Sequence, residues 1–237
     1  MKYAMPVDPR VLEKDYPSDP SLDSIPELVS FLKSLNTKDF KTSTAKAKWK
    51  LELSDKIHNL WYTINMKQGI NLADREKLLP VFQELSRLSK PYENLHFNKL
   101  YRGVRASNHD PRILTYNYPD ELNDPEVIEH LEGLAYGLRS WSWDFKDAIK
   151  WSQNVAKRKD RIIFELPNPS NSVVLDCDAL VKIMGKELAY DMFDPNEIIV
   201  FLDNPKILNI VREEEGFDEE ASHFLGDNFY YKVSVSN

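Results

Sequence analysis

The sequence predicts an α+β protein, with a helical N-terminal region ahead of a domain built from many short strands. Two observations carry that prediction. Apolar residues recur at helical spacing from Ser24 to about Leu88, and beyond Pro91 the pattern changes to short runs with few helices between them. The bulk composition agrees. The chain has 237 residues, 42% of them hydrophobic and 29% charged, which is ordinary for a folded globular chain and ample for one substantial core. We divide it into a helical N-terminal region, residues 1–95, and a strand-rich domain, residues 96–237.

In chain order, residues 1–22 are rich in Pro, Asp and Ser and lack a helical period, so they read as an extended leader. Ser24-Ile25-Pro26-Glu27 has the form of a helix start, and Leu28, Phe31, Leu32 and Leu35 follow at helical spacing. Leu53, Ile57, Leu60, Trp61 and Ile64 mark a second amphipathic helix. Asn71 is placed to cap a third, with Leu78, Leu79, Phe82, Leu85 and Leu88 as its stripe. Lys99 to Val104 reads as a strand, residues 106–125 as an irregular polar stretch, and Pro125 to about Leu134 as a helix. Leu138 to Trp141 is a further strand. Phe145 to Ala156 is a helix with Phe145, Ala148, Ile149 and Ser152 on one face. Strands are then expected over Arg161–Leu166, Val173–Leu175, Glu197–Leu202, Ile207–Val211 and Phe229–Val235. The acidic run from Glu213 to Glu220 reads as a solvated loop.

Several chemistries are disfavoured. There is no phosphate-cradling GxxxxGK[ST] or GxGxxG loop, and the five histidines, His58, His96, His109, His130 and His223, form no metal-binding pair. The single cysteine, Cys177, excludes an internal disulfide, fits a reducing compartment and reads as a buried structural thiol at a strand end. The net charge of −7 argues against a broad nucleic-acid footprint. Lys146, Lys150, Lys157, Arg158, Lys159 and Arg161 do form a local basic stretch, either a solvated helix face or a contact for RNA or an acidic protein. The N-terminus has no apolar signal core, so a cytoplasmic location is expected.

Three segments carry candidate chemistry. Arg102, within Leu100-Tyr101-Arg102-Gly103-Val104, is costly to bury unless it meets an anion, which a phosphate or a structural carboxylate would supply. Gly103 permits a close approach to the backbone. Ser140-Trp141-Ser142-Trp143 alternates hydroxyls and indoles, as a strand with two distinct faces does, and Asp144 suits the start of the following helix. Glu197 opens the apolar strand Glu197-Ile198-Ile199-Val200, where a poorly solvated carboxylate can stabilise a developing cation, or can simply face solvent.

In this order the three segments resemble the ADP-ribosyltransferase family of the arginine-serine-glutamate class, which includes bacterial toxins and tailed-bacteriophage enzymes. Tyr101-Arg102-Gly103 resembles its arginine strand, and Ser140-Trp141-Ser142 its Ser-Thr-Ser motif, with Trp141 in place of threonine. Ala148 and Trp151 resemble its Ala-x-x-Phe spacing. Arg161 to Leu166 with Asn168-Pro169 resembles its next strand and exit, and Glu197-Ile198-Ile199 its Glu-Val-Leu. The resemblance covers residues 97–212 and implies a β-sandwich core. It implies cleavage of NAD between nicotinamide and ribose, with transfer of ADP-ribose to a macromolecule, a protein first and a nucleic acid second, and without a metal. Glu197 would bind the ribose 2′-hydroxyl and stabilise the oxocarbenium-like state, and Ser140 would hold the ribose and position Glu197. Arg102 would anchor the phosphates, the Gly103 backbone would grip the nicotinamide amide, and Ser142 and Trp143 would line the cofactor site. Tyr190, Phe193 and Asp194 would face the acceptor. The family carries Glu or Gln two residues before its catalytic glutamate, where this chain has Pro195. That departure leaves the acceptor open and admits an NAD glycohydrolase, in which water is the acceptor. A protein that binds a host factor without catalysis is the other alternative.

Overall fold

A computed structural model of the chain describes residues 25–36, 76–93, 97–104, 124–152, 162–184, 194, 196–214 and 229–237. The leader at 1–22, the helix expected around Leu53 to Ile64, the cap at Asn71, Tyr190, Phe193 and Pro195 lie outside the described residues.

Two N-terminal helices form where the apolar stripes fall. Helix α1 (Ile25–Ser34) buries Ile25, Leu28 and Leu32, and helix α2 (Leu79–Ser89) buries Val81, Phe82, Leu85 and Leu88. Arg87 of α2 donates to the carbonyls of Leu32 and Leu35 at 3.0 and 3.1 Å, capping the carboxyl end of α1 where backbone acceptors are left over. A single 3-10 turn, Lys90–Tyr92, ends this region at Pro91.

Strands β1 (Lys99–Val104) and β2 (Gly137–Ser142) flank helix α3 (Pro125–Ala135), which starts on an Asp124 cap. Helix α4 (Phe145–Ser152) leads to β3 (Ile162–Pro167) and β4 (Val173–Asp176). Helix α5 (Cys177–Met184) follows β4 without a loop, and β5 (Glu197–Leu202), β6 (Lys206–Glu214) and β7 (Phe229–Ser236) are the last elements among the described residues. The fold is therefore α+β, with one mixed seven-stranded sheet in the order β4-β5-β2-β1-β3-β7-β6. The β3–β7 pair is parallel.

Two expectations are corrected. Cys177 opens a helix rather than closing a strand, because the Asp176 carboxylate accepts from the backbone N–H groups of Asp178 and Ala179 at 3.0 and 3.4 Å. Glu213 lies within β6 rather than in a solvated loop, and its carboxylate accepts from Tyr230 at 2.5 Å and also from Lys232.

The sheet has an open seam. Strands β1 and β2 are paired only at Tyr101↔Ser142, whereas β1 pairs with β3 from Lys99 to Val104 and β2 with β5 from Gly137 to Leu202. Side-chain alternation sorts the apolar residues into two faces. One face carries Trp141, Ile198, Val200, Leu202, Leu100, Phe164, Leu166, Tyr231 and Val233 in a continuous core, into which α3 buries Val127, Leu131 and Ala135. The opposite face has two separate covers. Helices α1, α2 and α5 pack on Leu138, Leu175 and Ile199 at the β4-β5-β2 end, so the N-terminal helices and the strands share a core. Helix α4 packs on Tyr101, Ile163 and Tyr230 at the other end, with Phe145 against Tyr101 at 5.1 Å and Tyr230 at 5.6 Å. The seam lies between these covers.

Candidate active site

Ser140, Ser142 and Glu197 alternate with the core residues Trp141 and Ile198, so they share the face opposite that core, where the seam lies between the two helical covers. The register puts Ser142 directly opposite Glu197 and Ser140 opposite Ile199. Ser142 is buried, Ser140 and Glu197 are half-buried, and Trp143, one residue past β2, is 46% exposed.

Arg102 occupies the other face of β1, between Leu100 and Val104, and its guanidinium reaches across the seam to the backbone of β2. Its Nη1 donates to the Ser140 carbonyl at 2.8 Å. This bond answers the open seam, since β1 and β2 share no ladder beyond Tyr101↔Ser142 and Arg102 supplies a donor for a β2 carbonyl there. The guanidinium thus ties β1 to the serine strand.

Gly103 has a different reason from the one its sequence context offered. A Cβ at this position would stand 1.8 Å from the Ala148 carbonyl oxygen, 2.6 Å from the Ser152 nitrogen and 2.9 Å from the Ala148 carbonyl carbon. The close approach at Gly103 is made by the backbone of α4, which rests directly on β1.

That helix brings in a residue the motifs did not flag. Asp147 of α4 is 7% exposed. Its Oδ2 accepts from Asn196 Nδ2 at 2.8 Å and from Ser142 Oγ at 3.4 Å, and its Oδ1 accepts from Lys150 Nζ at 3.0 Å. Burial alone would raise the Asp147 pKa. The hydrogen bonds from Asn196, Lys150 and Ser142, with the Lys150 charge, outweigh it and hold the carboxyl below its ordinary value. In sequence, Asp147 looks like an acidic first-turn residue, and its partner Asn196 is too distant along the chain for any local signal.

The turn into β5 is also fixed. Asp194 accepts from the Asn196 backbone N–H through Oδ1 at 2.9 Å, and its carbonyl accepts from the Glu197 N–H at 2.9 Å. Asp194 itself is exposed. Nearby, burial pushes the Cys177 thiol well above its ordinary pKa, and the negative charges of Glu197, Asp176 and Asp194 push it further. A thiol so placed stays protonated and is a poor nucleophile.

No family model matches the chain, and no curated protein matches it. Among solved structures, the crystal structure of the Salmonella SpvB ATR domain aligns with 91% of this chain and 99% of that chain, at 13% identity and a TM-score of 0.28. A similarity of that size carries no argument about fold or activity. No helix among the described residues is long and apolar enough to cross a membrane.

Proposed function

We propose that the chain is an ADP-ribosyltransferase that cleaves NAD at the nicotinamide–ribose bond and transfers ADP-ribose to a macromolecular acceptor, a protein in the first instance. The observation that carries this reading is the register of β2 and β5. It sets Ser142 opposite Glu197, with Ser140 on the same face and its carbonyl held by Arg102. The three segments that resemble the arginine-serine-glutamate class thus fall on the adjacent strands β1, β2 and β5.

In this reading the half-buried Glu197 carboxylate stabilises the positive charge that develops on the ribose as the glycosidic bond breaks. The electron pair of that bond leaves with nicotinamide. The acceptor nucleophile adds to the ribose carbon and gives up its proton. Ser140 and Ser142 hold the ribose beside the carboxylate, and Arg102 faces the phosphates. Trp143 has the exposure needed to stack on the cofactor. Tyr190, Phe193 and Asp194 belong to the acceptor side. The donor is consumed as a substrate, and no step calls for a metal.

Pro195 favours a second reading, because the family's acceptor-orienting Glu or Gln is missing there. Water would then be the acceptor and the chain an NAD glycohydrolase. One experiment separates the outcomes: incubation with NAD labelled in its adenylate half and a cell lysate. Label on a macromolecule supports transfer, and label released only as ADP-ribose supports hydrolysis. Glu197→Gln should lower either turnover by about 10²–10³-fold while the fold is kept. Full activity in that variant, or an absence of NAD binding by the native chain, overturns the proposal, and the latter would favour a protein that binds a host factor without catalysis.

A further inference from the structure

Three strands must keep their relative positions for the proposed site to exist, and one buried carboxylate touches the ends of two of them from a helix seated on the third. Helix α4 rests on β1 at Gly103 so closely that no side chain fits between them. From that helix, Asp147 bonds Ser142 at the end of β2 and Asn196 at the entry to β5. Asn196 immediately precedes Glu197 and is itself held in a turn by Asp194. The second Asp147 oxygen takes Lys150, which leaves the carboxylate compensated at both atoms.

We propose that Asp147 is a positioning residue for Glu197, which fixes the carboxylate's entry turn against α4 and β2 through the Asn196 and Ser142 side chains. The inference rests on the reading of Glu197 as the carboxylate that supports NAD cleavage. Asp147 need not touch NAD. Its effect is geometric, since a small displacement of a reacting group can cost a large factor in rate while leaving binding contacts in place.

The test uses the full chain, with Asp147→Ala, Asp147→Asn, Asn196→Ala and the Asp147→Ala/Asn196→Ala pair, read by steady-state nicotinamide release and by hydrogen exchange of the 194–198 backbone. Asn196→Ala removes the tether while leaving the Ser142 and Lys150 contacts of Asp147 intact, so it guards against simple unfolding. Both alanine variants should lower kcat by about 10–100-fold with KM changed by less than about threefold, and the double variant should be no slower than the slower single one. Asp147→Asn keeps an oxygen to accept from Asn196 and should recover most of the loss. Backbone exchange at Asn196 to Ile198 should accelerate in both alanine variants, while β6 and β7 stay protected. Unchanged kcat in Asn196→Ala, or a loss confined to KM, overturns the inference. Should the native chain fail to consume NAD, the proposed function falls, and the positioning role is then judged by exchange alone. Unaltered protection at 196–198 in the alanine variants would overturn it there too.

Discussion

Gly103→Ala separates two accounts of the same residue. If the glycine admits a ligand, alanine blocks that ligand and leaves the fold alone. If it admits α4, alanine damages the fold first. The geometry favours the second account, because the three atoms nearest to an added methyl would be helix backbone, which cannot rotate out of the way as a flexible side chain can. The Ala148 oxygen would have to retreat from 1.8 Å to at least 3.4 Å, a displacement of about 1.6 Å for the whole helix. Overpacking of a close contact costs about 1–3 kcal/mol, and a rigid neighbour puts this case at the upper end, about 3 kcal/mol. For a chain of this size each kcal/mol lowers Tm by about 2–4 °C, so Gly103→Ala should melt about 6–12 °C below the native protein in a thermal scan followed by circular dichroism. A shift of less than about 2 °C, with NAD affinity lost, would refute the packing argument and restore the ligand.

Four further outcomes follow from named contacts. Arg102→Ala leaves the Ser140 carbonyl without its seam donor and should cost about 1.5–3 kcal/mol in urea unfolding, whatever it does to NAD binding; unchanged stability would show that the bond does not hold the seam. Phe82→Ala, at a fully buried position in the core shared by the N-terminal helices and the sheet, should cost about 3–5 kcal/mol in one cooperative transition, and an early separate melt of the helices would contradict the shared core. Cys177 should resist a thiol reagent at neutral pH until denaturant is added, so rapid labelling of the folded chain would show that the burial is wrong. The folded pKa of Asp147 is depressed below its ordinary 3.8, so its stabilisation is complete above about pH 4 and drains away as pH falls through the folded value. Asp147→Asn should therefore flatten the acid limb of the stability curve, and an unchanged slope there would remove Asp147 from it.

The sequence shows most clearly what is local and least clearly what acts through space. Strands β1 and β5 span the segments read as strands in the sequence, Lys99–Val104 and Glu197–Leu202, and α2 follows its stripe from Leu79. Helix α5 is hidden in the sequence because the apolar run Val173 to Leu175 reads as a strand that Cys177 closes. Its start depends on the Asp176 cap, a contact that reads as a strand end until the backbone turns. Glu213 was obscured in the opposite way. Its acidic neighbours mark a loop, and only its pairing with Tyr230 and Lys232 across β7 explains a carboxylate inside a strand. At the candidate site, alternation puts Ser140 and Ser142 on one face of β2, but only the register with β5 sets Glu197 on that face, while Arg102 belongs to the opposite face of β1. Arg102 meets the serine strand only through the Ser140 carbonyl across the open seam, and no property of β1 or β2 taken singly predicts a seam. The same holds for Asp147. A buried acid in a helix's first turn has a sufficient local explanation in the helix dipole, and that explanation conceals its bond to Asn196, 49 residues away. A motif therefore identifies the residues that would touch NAD, whereas the residues that hold them in register can satisfy ordinary local rules and still be indispensable to the geometry.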